Sequence, residues 1–298
     1  MEYHRPVLLQ ETVEGLNIKE DGVYVDVTFG GGGHSKEILR RLGSKGKLYG
    51  FDQDEDAQKN ALDDERFVLI PQNFRHVKRF LKFHGVKTVD GILGDFGVSS
   101  HQFDVPERGF STRFDADLDM RMSQQNTLSA YDVVNTYEQA DLKRVFGLYG
   151  ELKNAGTIAA TIVEKRAEQP IKTTEELKQS LRRLLPAYKE NKILAQLYQA
   201  IRIEVNQEVE VLREFLLQTP ELLQKGGRLS LISYHSLEDR LVKRFIRSGK
   251  FEGEVEKDFY GNPQVPFKKV SGLIVPSKEE IAINSRARSA KLRIAEKL

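Results

Sequence analysis

The sequence predicts an α/β fold, a doubly wound sheet interrupted by an all-helical subdomain. Three observations carry this. Between Val23 and Ser100, short β-branched or aromatic runs alternate with amphipathic stretches, the pattern of βαβ units on a parallel sheet. From Thr127 to Gln218 the apolar residues keep a helical period and no strand pattern stands out. After Gly226-Gly227 the alternation of strand and helix returns. The expected division is a sheet domain over 1–110 and 220–298, with an inserted helical domain over 111–219.

Taken in order, VYVDVTF (Val23 to Phe29) has the composition of a buried strand. It runs into Gly30, Gly31, Gly32 and Gly33, and then into the helix-like SKEILRRL, with Ser35 expected as N-cap and Glu37 in the first turn. KLYGFDQD supplies a second strand ending at Asp52, FVLIPQNF (Phe67 to Phe74) a third, and VDGILGDFGVSS a fourth ending at Asp95. Thr173-Thr174-Glu175-Glu176 offers a capping box to EELKQSLRRLL, which Pro186 ends. From Asn191 to Gln218, Leu194, Leu197, Tyr198, Ile201, Val205, Leu212 and Leu216 are expected on one helical face, with Pro220 as the stop. RLSLISYHS then reads as a strand, LEDRLVKRFI as a helix, and FKKVSGLIVP and AKLRIAEKL as two final strands.

Composition narrows the chemistry. The chain has 298 residues and no Cys, which excludes a disulfide scaffold, a thiolate metal site and a cysteine nucleophile. No run of about twenty apolar residues could span a bilayer, and MEYHRPVLLQETVEGL lacks the apolar core of a secretion signal. A cytoplasmic protein without a membrane partner is the expectation. The 46 basic and 44 acidic residues give a formal charge of +2, so a polyanionic partner must be argued from where charges lie.

A glycine run between a strand and a helix lets a ligand approach the backbone at the crevice outside the strand ends. Asp52, closing the next strand, is placed to accept hydrogen bonds from ribose hydroxyls. Together they point to an adenosine-containing cofactor. The dinucleotide pattern G-x-G-x-x-G fails, because its third position is Ser35 counted from Gly30 and Lys36 counted from Gly31, and no G-x-x-x-x-G-K-[ST] is present. Asp26-Val27-Thr28-Phe29-Gly30-Gly31-Gly32 instead resembles the D-x-G-x-G-x-G turn of the Rossmann-like class I S-adenosylmethionine-dependent methyltransferases, with Thr28 in place of the usual first glycine.

Longer strings carry a closer resemblance: HRPVLL, VDVTFGGGGHS, DFGVSSHQFDVPERGFS, LDMRM, QAIRIEVNQE, GGRLSLISYHSLEDRLVKRF and NSRARSAKLRIAEK. Over nearly the whole chain the sequence resembles the bacterial RsmH (MraW) family, whose members methylate the exocyclic N4 of a cytidine in the decoding (P-site) region of 16S rRNA. The resemblance implies S-adenosyl-L-methionine as cofactor and 16S rRNA, within the small ribosomal subunit, as partner. It carries cofactor contacts onto Gly32, Gly33 and His34, onto Asp52 for the ribose, onto Phe74 beside the adenine, and onto Asp95 and Gln102. These residue types fit such a ligand, since Phe offers an apolar face to a purine, a carboxylate suits a cationic methionine portion, and Gln both donates and accepts. His34, His101 and His235 lack metal-ligand spacing, so no metal is expected. Ser233-Tyr234-His235-Ser236 lacks the G-x-S-x-G elbow of a serine hydrolase.

Methyl transfer to cytosine N4 must overcome delocalisation of the amino lone pair into the ring, so an acceptor near the amino hydrogens should help. Asp95, heading Asp95-Phe96-Gly97-Val98-Ser99-Ser100, or a neighbouring carbonyl, is the expected acceptor, and Asp95 the expected catalytic residue. Gly97 stands where amino methyltransferases commonly carry proline. For the RNA, basic runs occur at Arg75, Lys78, Arg79, Lys82 and Lys87, at Arg240, Lys243, Arg244, Arg247 and Lys250, and at Arg286, Arg288, Lys291, Arg293 and Lys297. Gln199, Arg202 and Asn206 share one helical face, which with Glu107, Arg108 and Arg121 is expected either to receive the RNA or to form an internal polar network. A splayed-out cytidine is the expected substrate form. The competing readings are a related methyltransferase acting on DNA or a small molecule and a catalytically silent RNA-binding assembly factor. Monomer and homodimer are both compatible with the sequence.

Overall fold

The apolar runs pair into one seven-stranded sheet, with Val23–Asp26 (β1), Lys47–Phe51 (β2), Phe67–Ile70 (β3), Val89–Asp95 (β4), Leu223–Ser233 (β5), Phe267–Lys269 (β6) and Lys291–Lys297 (β7) in the order β3-β2-β1-β4-β5-β7-β6. This is a computed structural model describing residues 6–298, the side chain of Ser100 excepted. His4 and Arg5 of the HRPVLL string lie outside the described residues. β1 to β5 are parallel, β7 runs antiparallel to β5, and β6 antiparallel to β7. Strand order reverses between β1 and β4, which makes their carboxyl ends the crevice where such Rossmann-like sheets bind ligands.

The chain divides into two compact units, one comprising the chain up to Gly97 together with Val209–Leu298, the other Val98–Glu208. Both boundaries fall earlier than the 111–219 expected from sequence. At the late boundary the reason is packing: in helix Glu208–Leu222, Leu212, Phe215, Leu216 and Leu222 join Val25, Phe51, Ile92 and Leu231 in one core under the sheet. The continuous apolar face expected from Asn191 to Gln218 is therefore two faces. Gln207, left-handed at φ 52°, ends helix Glu190–Asn206 and separates them.

Pro220 does not stop the second helix but sits inside it. Proline cannot donate back to the carbonyl four residues earlier, and the Thr219 hydroxyl donates to that carbonyl, Leu216 O, at 2.7 Å instead. Pro186 does follow the helical segment begun by the Thr173–Glu176 capping box. Ser35 is not an N-cap either: helix Gly33–Arg41 starts from Gly32, and Ser35 is buried within its first turn. Glu37 lies beyond that turn and pairs with Arg40 and Arg41. Among the described residues, no helix is long and apolar enough to cross a membrane.

Candidate active site

In the sheet unit, the ends of β1, β2 and β4 are tied together by three short polar links. Asp26, buried at the end of β1, accepts from Thr28 N at 3.1 Å and from Ser35 Oγ at 2.7 Å, bracing both ends of the glycine turn. Its burial raises the carboxyl pKa to about 6, against the lowering effect of those donors. Asp52, just past β2, accepts from Gly30 N at 2.7 Å and Asp54 N at 2.8 Å, and burial likewise raises it to about 6. Asp95 N donates to Thr28 Oγ1 at 2.6 Å, so the residue replacing the usual glycine joins the turn to the end of β4.

Glycine is required at two points of the turn. Gly32 has φ 73°, and a Cβ there would lie 2.9 Å from the Phe29 ring; a Cβ on Gly33 would lie 2.2 Å from Pro6 Cγ. His34 follows in the helix, buried, with Nε2 3.1 Å from Val7 O. A carbonyl only accepts, so Nε2 carries the proton and Nδ1 is left as an acceptor. Burial lowers the His34 pKa to about 4, which keeps the ring neutral at pH 7.

His34 Nδ1 faces Asp95 Oδ2 at 4.0 Å. The Asp95 carboxyl is raised to about 7 by burial, against the lowering effect of the Tyr234 hydroxyl, and its buried Oδ1 has no hydrogen-bond partner among the described residues. A desolvated acceptor without a donor is costly, and the arrangement suits a ligand that brings one. Phe74, half-buried after β3, packs against Phe96 at 5.8 Å and Phe215 at 5.4 Å between ring centroids. The residues expected to hold the cofactor thus gather at the carboxyl edge of the sheet unit, with Gln102 the exception. Gln102 lies in the helical unit, buried, and its Oε1 accepts from Ser99 N at 3.0 Å in a capping box.

Of the six residues grouped with the helical face considered for RNA contact, all but Glu107 are engaged within the helical unit. Arg108, buried, donates to Arg121 O at 2.9 Å and Met122 O at 3.1 Å. Arg121 makes a two-pronged pair with Asp119 and also donates to the Gln124 and Asn126 carbonyls. Gln199 donates to Tyr149 O at 2.9 Å, and Arg202 is held by Glu208 at 2.8 and 2.9 Å. Asn206 accepts from Met122 N at 2.7 Å and donates to Met120 O and Arg202 O, each at 2.8 Å. Glu107 is exposed. Of the two roles weighed from sequence, these bonds describe the internal network. Asn206→Ala should strand buried groups of the 120–122 loop and destabilise the protein by about 2–4 kcal/mol; thermal unfolding within about 1 °C of the parent would contradict that role.

The basic runs are partly neutralised within the sheet unit. Arg75 pairs with Glu214 and Lys78 with Glu221, while Lys291 and Arg293 share Asp239. Arg79, Lys82, Lys87, Lys243, Arg247 and Arg288 are exposed, as is Phe83. Two contributors were present in the sequence only as letters of a motif, Thr28 and Tyr234. Polarity at a position where glycine is usual was the one signal for Thr28.

The model of the MraW methylase family matches residues 1–298. The ribosomal RNA small subunit methyltransferase H of Flavobacterium johnsoniae is 72% identical over 298 residues, covering 100% of this chain and 99% of that protein. The enzyme of the same name from Cytophaga hutchinsonii is 56% identical over 297 residues, covering 99% of each. Among solved structures, a putative rRNA-methylase from Clostridium thermocellum aligns with a TM-score of 0.45 at 12% identity, over 98% of this chain and 97% of that one. With a match along its full length and relatives this similar, the chain belongs to the MraW methylase family.

Proposed function

We propose that this protein transfers the methyl group of S-adenosyl-L-methionine to the exocyclic N4 of a cytidine in the decoding (P-site) region of 16S rRNA, by direct in-line displacement in the cytoplasm. The observation that carries the reading is Asp95 at the end of β4, its buried Oδ1 without a donor among the described residues, beside a glycine turn that admits a ligand to the backbone. Membership of a methylase family and the names of the relatives support methylation of small-subunit RNA.

The cofactor supplies an electrophilic methyl group on a sulfonium. Gly32, Gly33 and His34 would hold its amino-acid end, Asp52 would accept from the ribose hydroxyls, and Phe74 would lie beside the adenine. Asp95 accepts from the N4 amino group, which draws the lone pair out of the ring and orients it toward the methyl carbon. As the nitrogen–carbon bond forms and the carbon–sulfur bond breaks, the amino group must lose a proton; an ionised Asp95 is positioned to take it. No covalent enzyme intermediate is needed, in accord with a chain without Cys.

For the RNA, Arg79, Lys82 and Lys87 beside the exposed Phe83 offer phosphate contacts and a stacking surface. The test of acceptor class is incubation of the protein and labelled cofactor with assembled small subunits, naked 16S rRNA, DNA or buffer. Label in the small-subunit RNA is expected, whichever of its two forms is preferred. Label confined to DNA or a small molecule, or RNA binding without label, would overturn the reading.

A further inference from the structure

We infer that Thr28 is a positioning residue for methyl transfer: its hydroxyl holds the backbone of Asp95 against the end of β1 and so sets where the Asp95 carboxylate meets the acceptor amine. This deepens the function proposed above and rests on the role given there to Asp95.

β1 and β4 pair in parallel from Tyr24 and Gly91 to Asp26 and Leu93. Past those pairs, Val27 N donates to Leu93 O at 2.9 Å. In a parallel ladder the next bond comes two residues further along β4, at Asp95 N. There the chain after β1 is already bending toward the glycine turn, and Asp95 N donates to a side chain, Thr28 Oγ1, at 2.6 Å. The hydroxyl thus adds one rung beyond the paired residues, at the residue where β4 ends.

Both sides of that rung are anchored. On the β5 side, Asp95 pairs in register with Ile232, and Phe96 N donates to Ile232 O at 3.0 Å. On the β1 side, Thr28 N donates to the buried Asp26 at Oδ1, 3.1 Å away, and the Thr28 hydroxyl lies 3.5 Å from the same oxygen. A hydroxyl that accepts from Asp95 N still has its own proton to direct at Asp26. The branched Cβ of threonine restricts χ1, which keeps Oγ1 on the Asp95 side. Glycine, usual at this position of the turn that the sequence resembles, would offer no such acceptor.

The bonds that shape the glycine turn do not need the hydroxyl. Thr28 N and Ser35 Oγ donate to Asp26, and Gly30 N donates to Asp52. Removing the hydroxyl should therefore spare cofactor binding and act on transfer, whereas a residue that only supports the fold would lower both together.

Thr28→Val keeps the side chain's shape without the acceptor. Its single-turnover transfer at saturating cofactor is expected to fall about 10–100-fold, the scale of misplacing a reacting group by up to about 1 Å. Its affinity for S-adenosylhomocysteine in calorimetry should stay within about threefold of the parent, since no ground-state binding contact is lost. Thr28→Ser retains the hydroxyl and should transfer within about threefold of the parent, its only loss being the restriction of χ1. Thr28→Gly installs the usual glycine and covers the case of a valine variant that folds poorly; it should bind like the parent and transfer as slowly as Thr28→Val. Transfer at the parent rate by Thr28→Val or Thr28→Gly, a loss of rate matched by an equal loss of affinity, or a Thr28→Ser variant as slow as Thr28→Val overturns the inference. Normal turnover by Asp95→Ala would instead overturn the parent reading. A dead Asp95→Ala beside a Thr28→Val at the parent rate would remove only the role of Thr28.

Discussion

Asp95→Ala is expected to lower single-turnover methyl transfer at saturating cofactor by about 10³-fold or more, the combined scale of losing a proton acceptor and a preorganised electrostatic contact. The expectation rests on Oδ1 being desolvated and without a partner among the described residues, so that its interaction with a substrate donor is formed inside the protein, where it is strong. Asp95→Asn isolates the proton: it keeps an acceptor oxygen of the same shape but cannot take a proton, and it should still lose about 100-fold. Folding can be separated from chemistry by the pH dependence of stability. Burial raises Asp95 from an ordinary 3.8 to about 7 in the folded protein, so the folded state binds the proton more tightly than the unfolded chain. The stability that this proton contributes is full below about pH 4 and is lost as pH rises toward 7. Asp95→Asn, which never ionises, should therefore unfold at a higher temperature than the parent at about pH 8, with no such gain at about pH 4. A variant that is inactive and yet more stable in the alkaline buffer cannot owe its inactivity to misfolding. Near-normal single-turnover rates in both variants would remove Asp95 from the chemistry.

The second large effect is expected at Gly32. Its φ of 73° places any L-residue in the left-handed region at about 1–2 kcal/mol, and the added Cβ would press on the Phe29 ring at 2.9 Å. Phe29 is buried in the core beneath the turn, so relief must come from the turn itself. Gly32→Ala should weaken S-adenosylhomocysteine binding by about 10–100-fold in calorimetry, equivalent to about 1.4–2.7 kcal/mol. Gly30→Ala is the matched comparison. It too is left-handed, at φ 51°, but its Cβ would meet only Thr28 O at 3.9 Å, and a smaller loss is expected there. Equal affinities for Gly32→Ala and the parent would show that the cofactor does not depend on the shape of this turn.

Much of the sheet was legible because strands buried on both faces leave unbroken apolar runs, as in Val23–Asp26 and Val89–Asp95, and punctuation by glycine or acid marks their ends. The helical region was less so. Gln207 carries no sign of its left-handed backbone, and a helical period continues on both sides of it, so one helix was expected where there are two. Pro220 misled for a related reason: its neighbour Thr219 satisfies the carbonyl it strands, which lets the helix run on to Leu222. Ser35 has a cap's residue type, but the buried Asp26 opposite it claims the hydroxyl.

At the site, residue types were readable and partnerships were not. Gly32, Gly33, Asp52 and Asp95 followed from strand ends and a glycine run. That Asp52 also holds Gly30 N, and that Thr28 joins two strands, depends on contacts between residues 22 and 67 positions apart. Arg108 and Arg121 looked equally suited to RNA and to a network because charge alone does not say whether a partner is already present; Asp119 and the 121–122 carbonyls supply one.

The central claim is that the acceptor is a cytosine amino group. Its most direct test is digestion of small-subunit RNA labelled by the purified protein, followed by mass analysis of the nucleosides and mapping of the labelled fragment. The label is expected in N4-methylcytidine from the decoding region, and it should be absent when Asp95→Ala replaces the parent. Label in C5-methylcytidine or in a ribose-methylated nucleoside would contradict the claim, and N4-methylcytidine formed equally well by Asp95→Ala would remove Asp95 from the chemistry.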